Sequence, residues 1–301
     1  MSVPPALGLA AGDLEAVFLP AQGMLGASLA HRGSEILRRV DDLEQAAALG
    51  NSAGNPLLHP WANRIDGFRY RAAGREVVLD PSSPLLHFDG NGLPLHGVPW
   101  SMLAWDVTAA TDVRIDARLD WTSSDLLAIF PFRHRLEMTV TLEADALKVE
   151  TALIAGDDGP VPASFGFHPY VGLPGLPRDE WQLTLPAMRR LALDSRGIPT
   201  GDDEAYPGLD ARLAELQFDD GFAVAGERIS LSIAGAGRRV SVDFLAGYRY
   251  AQVYAPKGRD FVALEPMIAE TNALVSGRGL RLVPPGARFR AAFRIRVDAM
   301  A

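Results

Sequence analysis

The run Phe289-Arg290-Ala291-Ala292-Phe293-Arg294-Ile295-Arg296-Val297 decides the fold class. Phe289, Ala291, Phe293, Ile295 and Val297 share one parity, while Arg290, Arg294 and Arg296 share the other. That is the period of a strand with one buried face. The same alternation recurs upstream. Leu136, Met138, Val140 and Leu142 are separated by Glu137, Thr139 and Thr141. Beyond the turn-like Glu143-Ala144-Asp145, the alternation resumes in Leu147, Val149, Thr151 and Leu153, as the arms of a hairpin would. Ile229, Leu231 and Ile233 make a further strand, followed across a Gly-rich turn by Val240, Val242 and Phe244. The 29 Gly and 22 Pro are spread along the whole chain, punctuation that suits many short strands. Helical signals are sparse, and only 41–49 and 210–216 are expected to form short helices. No repeat, charge block or long loop divides the chain. The expectation is one large all-β domain over residues 1–301, a sandwich rather than a barrel because the strands are many.

Composition narrows the function. With 29 Lys and Arg against 37 Asp and Glu, the 301-residue chain carries a formal charge of −8. A nucleic-acid surface needs a basic stripe instead, so no nucleic-acid partner is expected. Absence of cysteine excludes disulfides, thiolate catalysis and cysteine zinc sites. The first twenty residues lack the basic start of a signal peptide, and Asp13 and Glu15 break their apolar stretch. No run approaches the length of a membrane span. A soluble, cytoplasmic globular protein is expected.

Among the six histidines, His96 lies in a Pro- and Gly-rich segment, Gly92 to Trp100. His168 precedes Pro169, which biases it toward an extended backbone. Glu265 is the only acid in the apolar run Phe261 to Met267; a carboxylate there must be paired, hydrogen-bonded or shifted in pKa. Two histidines on irregular backbone and one acid in an apolar strand make a candidate acid/base set. The plainer readings are a turn role for each histidine and a strand-end role for Glu265 before Pro266. His31, His59, His87 and His134 read as structural or solvated. No histidine pair has the HxH or HExxH spacing of a metal site, so no metal is expected. The adjacent amide and guanidinium of Asn63 and Arg64 suit neighbouring sugar hydroxyls, against a plainer salt bridge from Arg64 to Asp66. Asp219 and Asp220 read as opening a turn. Gln252, inside an apolar strand, needs a partner or a ligand. Trp61, Trp100, Trp105, Phe165 and Tyr170 offer faces for a sugar ring, with core packing as the default for each.

Taken in order, these segments resemble the aldose 1-epimerase (galactose mutarotase) family. They are Asn63-Arg64-Ile65 with Gly67, Leu95-His96-Gly97, Gly166-Phe167-His168-Pro169-Tyr170, Phe218-Asp219-Asp220-Gly221-Phe222, Gln252-Val253-Tyr254, and Leu264-Glu265-Pro266 trailed by Asn272-Ala273-Leu274. The resemblance runs from about residue 15 to the C-terminus. It implies a large antiparallel β-supersandwich with few helices, and interconversion of the α and β anomers of a free aldohexose without a cofactor. It also implies Glu265 as catalytic base, His168 as catalytic acid and His96 as a second active-site histidine. Asn63, Arg64, Tyr170, Asp219 and Gln252 match the positions that line the sugar pocket. In this picture a carboxylate and an imidazolium face each other across the sugar. The chain departs from the family pattern at Val171, where Phe is usual, and at Asp220, where His often follows the first Asp. It also lacks the common Asn within 151–157. These departures are expected to touch the shape of the pocket.

Three other readings share the residues. A hexose 6-phosphate mutarotase would need clustered cations, for which Arg69, Arg71 and Arg75 stand close together. A sugar-binding protein would have no need of both Glu265 and His168. A conventional glycosidase would need a second catalytic carboxylate, and none is evident.

Overall fold

A computed structural model describes residues 6–40, 42–43, 45, 53–226 and 228–300. The alternating segments form the expected strands. His134–Leu142 and Ala146–Ala155 pair antiparallel with Leu142 opposite Leu147, so the turn is made by the triplet Glu143-Ala144-Asp145 together with Ala146. The C-terminal strand, Arg288–Ala299, lies between Ala146–Ala155 and Arg238–Ala246 at the middle of a nine-stranded sheet. Its Ala291, Phe293, Ile295 and Val297 are buried, as the parity predicts.

A second sheet runs in the order Pro199–Tyr206, Met188–Leu193, Phe218–Ala223, Tyr250–Ala255, Val262–Met267, Gly166–Phe167 and Leu57–Leu58. Tyr170–Val171 also pairs with Val262–Met267. One face of this sheet packs on the nine-stranded sheet. Phe167 meets Phe293 across the interface with ring centroids 5.0 Å apart, and Val253, Val262 and Leu264 join the same core. A four-stranded meander, Leu7–Ala11 to Ser34–Glu35, completes the larger elements. The described residues include two short α-helices, Ser124–Ile129 and Ala273–Ser276, and no helix long and apolar enough to cross a membrane.

The expected helix at 210–216 is instead the edge strand Leu209–Arg212 followed by a turn. Asp210 faces Thr184 in the ladder and accepts hydrogen bonds from Gln182 and Thr184. Pairing along an open sheet edge outweighs a helical tendency spread over so few residues. The expected helix at 41–49 lies mostly outside the described residues.

His59 and His134 are buried in this core as a pair, with Nε2 atoms 2.9 Å apart. His134 Nδ1 lies 2.7 Å from the Phe132 carbonyl, which can only accept. His134 therefore carries its proton on Nδ1, and its Nε2 accepts from His59 Nε2–H. A second proton on His59 would sit on Nδ1, which is buried without a hydrogen-bond partner among the described residues. Burial lowers His134 to about 4, and burial together with His134 lowers His59 well below the usual imidazole value. Such a group costs no stability above the unfolded pKa of about 6.5. Below it, the unfolded chain alone takes up the proton, so stability falls until the folded pKa is passed. Urea unfolding at pH 7.5 and pH 5 should show the loss, and in His134→Gln it should be smaller by about 2 kcal/mol. Equal losses in the two proteins would contradict the neutral pair.

Candidate active site

The second sheet turns its other face to a cavity, and strand register decides what lines it. Directly opposed residues of antiparallel strands point to the same face. Gly221 opposes Gln252, and Gln252 opposes Glu265. The next row on that face holds Asp219, Tyr254, Ala263 and Tyr170. His168 completes the first row by an interrupted ladder. Gly166 pairs with Met267 and Tyr170 with Ala263, so the register continued between them puts His168 opposite Glu265. Pro169 has no N–H to give the ladder, and the His168 N–H turns to the Pro56 carbonyl instead. Gly166 permits the approach: a Cβ there would lie 2.8 Å from the Pro266 carbonyl oxygen.

Glu265 is thus in mid-strand rather than at a strand end, for Val262–Met267 continues through Pro266. Asp219 and Asp220 likewise sit inside Phe218–Ala223, not in a turn. Their side chains part to opposite faces, and Asp220 pairs with Arg190 at 2.6 Å. Gly221 puts no side chain opposite Gln252; a Cβ would stand 3.3 Å from Gln252 Oε1. In that space the Gln252 amide donates to Asp219 Oδ1 at 2.7 Å.

The opposite wall comes from two loops. Asn63 and His96 both have left-handed backbone, φ 59° and 60°, a region uncommon outside glycine that Asn and His enter more readily than most residues. They hold each other in it. The Asn63 N–H donates to His96 Nδ1 at 3.1 Å, and the His96 N–H donates to the Asn63 carbonyl at 2.9 Å. Because His96 Nδ1 accepts, its proton is on Nε2. Burial, then the neighbouring His168, lowers its pKa well below the usual value, so the ring is neutral. Gly97 admits the close approach of the loop to the His59 carbonyl, 2.3 Å from an added Cβ. Arg64 is clamped: Nε donates to Asp89 Oδ2 at 2.7 Å and Nη1 to Asn63 Oδ1 at 3.1 Å, with Nη2 3.7 Å from Asp219 Oδ2. Its partner is Asp89, not Asp66, which pairs with Arg196.

At the floor, Glu265 Oε1 lies 3.1 Å from His168 Nε2. Both side chains are nearly inaccessible, 1% exposed for Glu265 and 5% for His168. Glu265 Oε2 and His168 Nδ1 are buried without a hydrogen-bond partner among the described residues. Burial raises Glu265 well above the usual carboxylate value, reinforced by Asp219. It lowers His168 to about 3, with Arg38 adding to the effect. Each group alone resists its charge, so a pair that shares one proton across the 3.1 Å contact and is neutral as a unit is favoured. Tyr170 stacks on His168 at 4.1 Å between centroids, and His96 meets it edge-on at 5.5 Å.

The cavity has a volume of about 450 Å³ and is lined by all eight residues singled out in the sequence: Asn63, Arg64, His96, His168, Tyr170, Asp219, Gln252 and Glu265. Arg38, Leu95, Tyr254, Arg259 and Phe261 line it too. Leu95 stands next to His96, and Tyr254 shares the parity of Gln252, which was the available signal. Arg38 and Arg259 carry no local mark that separates them from solvated loop residues. The structure also decides between the readings left open by the sequence. Of the five aromatic residues offered as sugar platforms only Tyr170 lines the cavity, and Trp61, Trp105 and Phe165 are core residues. Arg69, Arg71 and Arg75 do not reach it; they belong to the hairpin Arg69–Ala72 and Arg75–Val78, where Arg69 pairs with Glu76 and Arg75 donates to the Pro131 carbonyl. Val171 is in the core and Asp220 on the far face, so these two departures from the family pattern leave the cavity untouched. Among the described residues no three His, Cys, Asp or Glu side chains are grouped so as to hold a metal ion.

Known proteins share this fold. A galactose mutarotase-like protein from Clostridium acetobutylicum superposes with a TM-score of 0.85 at 19% identity, covering 98% of this chain and 95% of its own. The Slr1438 protein from Synechocystis sp. PCC 6803 gives 0.80 at 24% identity, covering 99% and 97%. Galactose 1-epimerase from Lactobacillus acidophilus NCFM gives 0.76 at 14% identity, covering 96% and 92%. In sequence, the chain is 28% identical over 303 aligned positions to the uncharacterized protein YihR of Escherichia coli K12, covering 96% of this chain and 92% of that one. The family model for aldose 1-epimerase matches residues 21–296, so the chain, a galactose mutarotase-like all-β protein, belongs to the aldose 1-epimerase family.

Proposed function

We propose that this protein interconverts the α and β anomers of an aldohexose whose anomeric hydroxyl is free, with Glu265 and His168 as the proton-transferring pair. The observation that carries this reading is the 3.1 Å contact between Glu265 Oε1 and His168 Nε2 at the floor of the cavity. Ring opening needs a base for the hydroxyl on C1 and an acid for the ring oxygen. Both oxygens are bonded to C1, so the two groups must stand side by side. An arrangement with the groups facing each other across the sugar, expected from the sequence, is replaced by this adjacent one.

The proton count closes. With a sugar bound, the pair starts as carboxylate and imidazolium. Glu265 takes the proton from the C1 hydroxyl while His168 gives its own to the ring oxygen, and the C1–ring-oxygen bond breaks. The open-chain aldehyde then faces a neutral carboxylic acid and a neutral imidazole. Burial favours that pairing, which lowers the cost of reaching it. After C1 turns its other face to the C5 hydroxyl, His168 removes the hydroxyl proton and Glu265 returns one to the carbonyl oxygen. His96, with its proton on Nε2, is suited to donate a hydrogen bond near the ring oxygen. Arg64 donors and Asp219 acceptors suit adjacent sugar hydroxyls.

Two measurements test this reading. Glu265→Gln keeps the volume but cannot accept the proton. Polarimetry on freshly dissolved α-D-glucose and α-D-galactose should show anomerisation falling by about a hundredfold to ten-thousandfold while sugar binding survives. Near-normal turnover in the folded variant would remove Glu265 as base. The second is the pH profile. The active pair holds one proton. Gaining a second makes it cationic and losing the one makes it anionic, and burial opposes both. The acidic limb should therefore lie below the ordinary imidazole value and the alkaline limb above the ordinary carboxylate value, as the lowering of His168 and raising of Glu265 require. Neither limb belongs to one residue, in contrast to the separate assignment that independent groups would give. The acidic limb of the catalysed rate, corrected for the spontaneous one, should lie near the lowered His168 value of about 3 rather than at the ordinary carboxylate value of about 4.3. A rate already halved at about pH 4.3 would mean the two groups titrate independently.

A further inference from the structure

We infer that Asn272 is a positioning residue of the site: it clamps the backbone of Arg64 and so ties the wall of polar donors to the strand that carries Glu265. This rests on the epimerase reading only for what Arg64 does to the sugar. Asn272 brackets Arg64 along the loop. Its own N–H donates to the Arg64 carbonyl at 2.9 Å, and its Oδ1 accepts from the Asp66 N–H at 2.8 Å. Together they give the 64–66 backbone the donor and the acceptor that a neighbouring strand would supply. Asn272 has left-handed backbone, φ 68°, which Asn enters more readily than most residues. It also opens the short helix Ala273–Ser276, where an Asn side chain ordinarily accepts from the first turn, yet it makes no such bond. Capping is therefore not what the amide does. It serves the loop that carries Arg64.

Placement gives the clamp its consequence. The chain is buried without interruption from Phe261 to Leu274, so the path from Glu265 to Asn272 lies inside the packed structure. Ile65 and Leu274, one in each of the clamped segments, are both core residues. Other contacts steady the loop without reaching the Glu265 strand. Asp89 and Asn63 hold the Arg64 guanidinium, and Arg196 holds Asp66 through Oδ1 at 2.6 Å and Oδ2 at 3.3 Å. Gly197, next to Arg196, leaves the guanidinium its space, for a Cβ there would lie 3.1 Å from Arg64 Nη1. Among these residues only Asn272 joins the loop to the chain that leaves Glu265. The contact of Arg64 Nη2 with Asp219, at 3.7 Å, is a looser tie. The spacing between the proton-transferring floor and the hydroxyl-binding wall is thus fixed through Asn272. A sugar displaced by about 1 Å over the floor loses up to about a hundredfold in rate.

The test compares Asn272→Gly, which keeps the left-handed backbone accessible and removes the acceptor, with Asn272→Asp, which restores an acceptor oxygen of the same reach. Should Asn272→Gly not fold, Asn272→Ser gives the same comparison, since its hydroxyl stops short of the Asp66 N–H. In the full-length protein labelled with nitrogen-15 arginine, the Arg64 Nε–H signal is identified by its loss in Arg64→Gln. Its exchange with solvent should be about tenfold faster in Asn272→Gly and return to the wild-type rate in Asn272→Asp. Anomerisation of glucose and galactose is followed in the same proteins. Asn272→Gly should lower kcat/KM by about tenfold in the wild-type background and by less than about twofold in Arg64→Gln, which lacks the group that the clamp positions. Both limbs of the pH profile should stay in place, because the Glu265–His168 floor is untouched. Equal losses in the two backgrounds would mean a general weakening of the structure and would overturn the inference. An unchanged Arg64 exchange rate would overturn it too, and would leave the epimerase reading intact. Faster Arg64 exchange in a protein whose wild type accelerates neither sugar would keep the clamp and remove the epimerase reading.

Discussion

The site depends on a carboxylic acid and an imidazole buried against each other with one proton between them. Neither Glu265 nor His168 tolerates its own charge in that environment, but together they carry none. Moving the shared proton across 3.1 Å changes the character of both groups without changing the net charge of the floor. A pair of this kind exchanges acid and base roles at little electrostatic cost, since no charge has to enter or leave the low-dielectric interior. The rest of the architecture serves to keep the two side chains adjacent, dry and open on one side.

That adjacency is a property of strand register. A slip of one residue between Gly166–Val171 and Val262–Met267 would send Glu265 into the core between the sheets and bring Leu264 to the cavity. The register is held on both sides of the break, by Gly166 against Met267 and by Tyr170 against Ala263. Pro169 interrupts the ladder without shifting it. Core residues on the far face, Val262, Leu264 and Phe167, hold the same register from below through their packing on the nine-stranded sheet. Stability of the sandwich and alignment of the chemistry are therefore one constraint.

The wall opposite is built by a different device. Asn63 and His96 accept left-handed backbone because each satisfies the other through two hydrogen bonds. The arrangement orients the His96 ring, fixes its tautomer and presents the Asn63–Arg64 pair to the cavity. Asp89 then holds Arg64 from behind, with its remaining oxygen occupied by the amides of Asn91 and Leu93. Polar groups at the site are thereby oriented before any sugar arrives, which is what selective recognition of hydroxyl stereochemistry requires.

Much of this was legible in the residues themselves. Alternation at 136–153 and 289–297 determined strands, because the period of a pleated backbone is two whatever surrounds it. An acid in an apolar strand marked Glu265, because a buried carboxylate needs a reason. Ordered short motifs brought His96, His168, Asn63, Arg64, Tyr170, Asp219 and Gln252 into one family pattern. Local composition misled at 210–216 and at Asp219-Asp220, where pairing with a neighbouring strand overrode short-range tendencies. Only the tertiary structure decided that Glu265 and His168 touch rather than oppose, that Arg69, Arg71 and Arg75 face elsewhere, and that Arg38 and Arg259 border the cavity. The physical reason is common to all three. Which side chains meet across a sheet or a cavity is set by register and by the packing of segments distant in sequence, and a residue's own neighbours in the chain carry no record of it.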